Sequence, residues 1–294
     1  MTDRSANQAV SDVLDAAFAR ALVKSQRAAI AAVEAALPVL EAAAIGMADA
    51  LRAGGRAVYV GAGSSGLIGL QDGAELAGTF GLAHSQVAYL LAGGLGDVAH
   101  IEAAAEDDGD AAKRDFAAAS IERRDILIAL SASGSTPYTL ACVEAGKARG
   151  AKIIGLANRA KTPLLKLADF PILLDSGPEA LHGSTRLAAG TAQKAALGVL
   201  STLANASLGH VWRGHMVNVR PENEKLRHRA AYIIASLTGV SEDSARAILA
   251  KADDDVKSAI LIASGARSHA MARQLIDKAH GRLDEAISYL RDCA

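Results

Sequence analysis

Short apolar runs without polar alternation recur between residue 56 and about 175, and each is followed by a stretch with helical spacing. Five of them predict strands: 56–60, 86–91, 125–130, 152–157 and 170–174. Runs of this length that do not alternate are buried on both faces. Helical stretches at about 65–78, 98–120, 136–149 and 160–168 separate them, and a βα rhythm builds a parallel, doubly wound α/β sheet. Upstream, Val10, Val13, Leu14, Phe18 and Leu22 stand at i, i+3, i+4 intervals, the stripe of an amphipathic helix. Pro38 begins or kinks a second helix, and Gly54-Gly55 closes it. Downstream, a polar connection from Asp175 to Thr185 leads to a long helix at about 185–208, with Ser184 or Thr185 as its N-cap. Residues 209–221 read as a break. The tail has no strand-like run, only short amphipathic helices with capping signals at Ser241, Asp253-Asp254-Asp255 and Gly281. The predicted organisation is N-terminal helices (1–52), a five-stranded sheet domain (53–221) and a small helical domain (222–294).

Two of the strands end in turns rich in glycine and hydroxyls. Gly61-Ala-Gly-Ser-Ser-Gly66 follows the first, and Ser131-Ala-Ser-Gly-Ser-Thr136 follows the third. Strand, turn and helix in this order aim backbone N–H groups and a helix N-terminus at an anion. Ser64 and Ser65 can cap the helix or donate to an oxyanion; Ser131, Ser133, Ser135 and Thr136 can converge on one phosphate. The second turn has no lysine at its end, which sets it apart from a nucleotide P-loop, and no acidic residue ends the strand after the first turn, as dinucleotide binding would need. One such turn is ordinary strand punctuation. Two of them, both after buried strands, predict a compact phosphomonoester such as a sugar phosphate.

Composition narrows the class further. The chain has 294 residues, is 51% hydrophobic but only 3% aromatic, and carries a formal charge of −1, so no net field attracts nucleic acid or an anionic membrane surface. Cys142 and Cys293 lie far apart in no metal-like spacing, which predicts free thiols in a reducing cytoplasm. The polar start lacks the apolar core of a secretory signal, and no apolar run approaches the roughly 20 residues that span a bilayer.

Four further side chains are candidates for chemistry. Glu75 sits among small apolar neighbours, which predicts partial burial, where desolvation favours a protonated carboxyl. Glu106 belongs to an acidic cluster of the kind that usually faces solvent. Glu179 can fix a sugar hydroxyl or cap a turn. Lys194 lies on an otherwise apolar helix face, where an amine needs an anion: a ligand phosphate or a structural ion pair. His182 and the run Arg227-His228-Arg229 read as polar surface.

Taken in order, these stretches resemble the N-acetylmuramic acid 6-phosphate etherase family, a branch of the sugar isomerase (SIS) fold. The match includes Gly61-Ala-Gly-Ser-Ser-Gly66, Ala74-Glu75 with Thr79-Phe80-Gly81, Ala105-Glu-Asp-Asp108, the serine turn, Gly177-Pro-Glu179, Gly183-Ser-Thr-Arg186, Ala189-Gly-Thr-Ala-Gln-Lys194 and Asn223-Glu-Lys-Leu226. It runs from about 56 to 230, and the tail fits a UBA-like helical domain. Leu67, Leu76, His182 and Ala188 depart from the usual Arg, Cys, Thr and Lys.

The resemblance implies a carbon–oxygen lyase of cell-wall sugar recycling, without a cofactor or metal, that releases D-lactate from the phosphorylated amino sugar. It maps a proton-donating glutamate onto Glu75, a second catalytic glutamate onto Glu106, and phosphate binding onto residues 131–136. β-Elimination explains why two carboxyl groups are needed: one removes the C2 proton of the ring-opened aldehyde, and the other protonates the oxygen leaving C3. A sugar-phosphate-binding regulator or a phosphosugar isomerase on the same fold would keep the turns but not need both acids. A helix from the first turn carries Glu75 roughly 15 Å away, at about 1.5 Å per residue. Either a second subunit completes the site, giving a homodimer, or the helix breaks at Gly73.

Overall fold

Parallel strands Ala57–Gly61 (β1), Val87–Leu91 (β2), Ile126–Leu130 (β3), Lys152–Ala157 (β4) and Phe170–Leu173 (β5) form one sheet in the order β2-β1-β3-β4-β5. The computed structural model describes residues 16–96 and 103–292. Every residue of β1 and β3 is buried, as expected of strands covered on both sides.

Alternate side chains feed two cores. Tyr59, Ile128, Ile154 and Ile172 face the helices Ala16–Ala35 (α1), Leu37–Arg52 (α2), Gly63–Phe80 (α3) and, later in the chain, Ala188–Ser207. Val58, Val60, Leu127, Ala129 and Ile153 face Gly109–Ala118 (α4), Pro137–Ala148 (α5) and Pro163–Leu167 (α6). Ala188–Ser207 is α7, which packs on α1, α2 and α3. Its predicted caps, Ser184 and Thr185, do not cap it: the N-cap position is Leu187, with no side-chain bond of its own. Ser64 and Ser65 likewise fall inside α3, whose N-cap is Ala62. Pro38 starts α2, as the ring suits a first turn.

Other boundaries move as well. The predicted helix 98–120 is a 3₁₀ turn, Ala103–Asp107, followed by α4, with the Asp108 side chain accepting from Asp110 and Ala111 N–H between them. Residues 98–102 of that stretch lie outside the described residues, as do Val10, Val13, Leu14 and Cys293. The predicted break at 209–221 contains a small hairpin of Val211–Trp212 (β6) and His215–Met216 (β7). Cys142 is a free thiol, and burial above all pushes it up to about 12.

Helices Glu224–Thr238 (α8), Glu242–Lys251 (α9), Val256–Ala263 (α10), His269–Lys278 (α11) and Leu283–Asp292 (α12) surround a core of their own, joined by Val217 and Val219. No single described helix is long and apolar enough to cross a membrane; α1 and α2 meet that length and composition only as a pair bent by 63°.

The turn after α7 meets the C-terminal helices at a buried pair of bases. Lys257 Nζ donates to the Gly281 carbonyl at 2.9 Å, and His210 Nδ1 lies 2.9 Å from Asn205 Oδ1. Burial, with the Lys257 charge beside it, pushes His210 from 6.5 to about 4. Because the folded value is below the unfolded one, the unfolded chain takes the proton first. The contribution of His210 is complete above pH 6.5 and is lost as pH drops towards 4, by about 2–3 kcal/mol. Urea unfolding at pH 7 and pH 4.5 tests this: His210→Gln loses less stability on acidification than the wild type by a large part of that amount.

Candidate active site

The strand order reverses between β1 and β3, and ligands of open α/β sheets bind beyond the strand ends at such a point. Register pairs Gly61 with Leu130, so the two glycine–hydroxyl turns start side by side. Each opens a helix, α3 or α5, with its N-terminus towards the crevice.

Within the second turn the hydroxyls bind one another. Ser131 Oγ, buried, accepts from Gly134 N–H at 3.0 Å and lies 2.8 Å from Thr136 Oγ1. Ser133 Oγ accepts from Ser135 N–H at 3.2 Å and from Ser135 Oγ at 3.1 Å. Asn158, at the end of β4, ties the turn to its neighbours. Its N–H donates to Ala132 O at 3.1 Å, its Nδ2 donates to Leu174 O at 2.9 Å, and Gln193 Nε2 donates to its Oδ1 at 3.0 Å.

Glu106 comes to the first turn from the 3₁₀ segment. Gly63 has φ +53°, and a Cβ placed there would collide with Glu106 Oε1. Glycine suits the left-handed backbone here and leaves room for the carboxylate to lie against it. Glu106 is half-buried rather than a freely solvated member of its acidic cluster, and the first turn of a helix attracts an anion.

Glu75 is placed differently from the expectation. It is exposed, and its only bond among the described residues comes from Gln71 Nε2 at 3.3 Å. The buried acid is Asp72, three residues earlier, which accepts from Tyr59 Oη at 2.6 Å and Ser201 Oγ at 3.1 Å; burial raises it above the usual carboxylate range. Asp72 shares a helical stripe with Gly69, Leu76 and Phe80, a spacing that marks it as inward-facing. Nor does α3 break at Gly73, which packs where a Cβ would lie 2.8 Å from the rings of Tyr59 and Tyr89. Glu75 thus stands about 18 Å along the axis from Gly63, at roughly 1.5 Å per residue. Lys194 lines a groove of about 480 Å³ on this same α3–α7 face, with Gln71, Arg186 and Thr191, away from the serine turn.

A second cavity, about 320 Å³, opens beside the serine turn at the ends of β3, β4 and β5. Ser133, Arg159, Glu179 and His182 line it. Glu179 supplies the cap that Ser184 and Thr185 do not: its two oxygens accept from Ala188 and Ala189 N–H, both at 2.9 Å. A carboxylate bridging two helix N–H groups suits the helix dipole. Glu179→Ala costs about 1–2 kcal/mol of stability, read as a lower denaturation midpoint, while Glu179→Gln keeps one acceptor and costs less.

Residues 21–158 match the SIS domain family. The N-acetylmuramic acid 6-phosphate etherase of Deinococcus radiodurans is 42% identical over 271 residues, covering 92% of this chain and 89% of that protein. The enzymes of the same name from Streptomyces avermitilis and Geobacillus thermodenitrificans are 41% and 38% identical, covering 88% and 90% of this chain and 83% and 90% of theirs. With such identity over nearly the whole length, laid on a five-stranded sheet with two hydroxyl turns at its switch point, the chain belongs to the N-acetylmuramic acid 6-phosphate etherase family.

Proposed function

We propose that the protein cleaves the lactyl ether of N-acetylmuramic acid 6-phosphate to N-acetylglucosamine 6-phosphate and D-lactate, as a cytoplasmic homodimer. The observation that carries this reading is near full-length similarity to proteins of that activity, together with a carboxylate lodged at the switch-point turn.

The sugar reacts in its open form. With an aldehyde at C1, the C2 hydrogen is acidic, and Glu106 takes it. The electron pair forms the C2–C3 double bond, and the C3–O bond to lactate breaks. Glu75 gives its proton to the departing oxygen. Water then adds at C3: Glu75 takes a water proton, Glu106 returns a proton to C2, and both groups are restored. Each such group contributes about 10²–10⁴-fold. The serine turn holds the phosphate through hydroxyls and the α5 N-terminus.

Glu75 cannot reach its own chain's turn across an unbroken helix. It therefore serves the neighbouring subunit's site, and the groove beside it becomes part of the dimer face.

Incubation with N-acetylmuramic acid 6-phosphate in D₂O is the direct test. Equal amounts of D-lactate and C2-deuterated N-acetylglucosamine 6-phosphate are expected. Isomerised phosphosugar without lactate would mean an isomerase, and binding without turnover a regulator; either result ends the etherase reading.

A further inference from the structure

The serine turn is neutral, yet a sugar phosphomonoester brings close to two negative charges at neutral pH. Residues 131–137 contain no Lys or Arg, and part of the turn's donor capacity is spent internally, on Ser131 Oγ and Ser133 Oγ. A phosphate held only by hydroxyls and backbone N–H groups would stay undercompensated in a cavity. Lys194, the cation that the sequence offers for the purpose, lines the other groove.

Arg159 is the one Lys or Arg that lines the cavity beside the turn. Its backbone is placed by the preceding residue, Asn158, which is pinned to Ala132, Leu174 and Gln193 by its backbone and both ends of its amide, while the Arg159 side chain is exposed at the cavity's rim. The cavity's carboxylate, Glu179, is turned to the N–H groups of Ala188 and Ala189, and among the described residues no carboxylate lies within ion-pair distance of Arg159. A guanidinium without an ion pair among the described residues, on a cavity that Ser133 also lines, offers a planar fork of donors, which suits phosphate oxygens.

We propose that Arg159 supplies the counter-charge for the substrate's phosphate at the serine turn, and so sets the preference for phosphorylated over free amino sugar. This rests on the etherase reading for the substrate's identity. Arg159 positions the sugar and takes no part in the proton transfers.

The test uses N-acetylglucosamine 6-phosphate, which keeps the phosphate but lacks the lactyl carboxylate, so that binding is measured without turnover. By calorimetry, Arg159→Ala weakens its binding about 10- to 100-fold, and added salt weakens the variant less than the wild type. Arg159→Lys recovers much of the affinity. For lactate release, KM rises by the same factor while kcat stays within about threefold, the mark of lost uniform binding. Unchanged affinity for N-acetylglucosamine 6-phosphate in Arg159→Ala overturns the proposal. So does a rise in KM for the lactyl substrate alone, which would assign Arg159 to the carboxylate. If the wild type binds the product but releases no lactate, the etherase reading fails, and the binding arm still decides the role of Arg159.

Discussion

Glu106→Gln lowers D-lactate release by about 10²–10⁴-fold and abolishes exchange of the C2 hydrogen with solvent. Glutamine matches glutamate in shape, so the side chain still fits against Gly63 at the mouth of α3, and far-UV circular dichroism is unchanged. What is lost is the group able to accept the C2 proton. Since elimination cannot begin without it, lactate release and isotope exchange fall together. Binding of N-acetylglucosamine 6-phosphate survives, because the serine turn and α5 are untouched. C2 exchange persisting at the wild-type rate would place the base on another residue and leave Glu106 a structural anion at a helix end.

Glu75→Ala also loses lactate release by about 10²–10⁴-fold, but it keeps part of the C2 exchange, because proton removal precedes loss of the leaving group. The side chain is exposed and bonded only by Gln71 among the described residues, so stability changes little. Its distance from the turn on its own chain gives a sharper test. Mixing Glu75→Ala with Glu106→Ala subunits, each inactive alone, restores roughly a quarter of wild-type activity, since half of randomly reassorted dimers carry one intact site of two. Activity that stays absent after mixing, with subunit exchange shown by a tagged partner, would mean that each site is built within one chain.

Much of the architecture is legible in the sequence alone. Unalternating apolar runs marked all five strands within a residue or two, because burial on both faces leaves no room for polar alternation. The two hydroxyl turns were equally plain, since chemistry and spacing lie within a few consecutive residues. Side-chain environments were harder to read. Small neighbours around Glu75 predicted burial, but the same composition serves either side of a helix. It is Asp72 that points inwards to Tyr59 and Ser201, because α7 covers that face and leaves the other open. Lys194 on its apolar stripe lines a surface groove for the same reason.

Local pattern therefore determined this protein's strand order of appearance, most of its helices, its glycine–hydroxyl turns and its family. Those properties depend on residues a few positions apart, where propensity and periodicity act directly. Three features needed the tertiary structure: Glu106 brought onto Gly63, Glu179 capping α7 from nine residues upstream of Ala188, and Arg159 set beside the serine turn with no ion pair among the described residues. Each joins segments whose separation in the chain carries no periodic signal. Their meeting is fixed only when the sheet's register and the packing of α3 and α7 bring strand ends and helix starts to one edge.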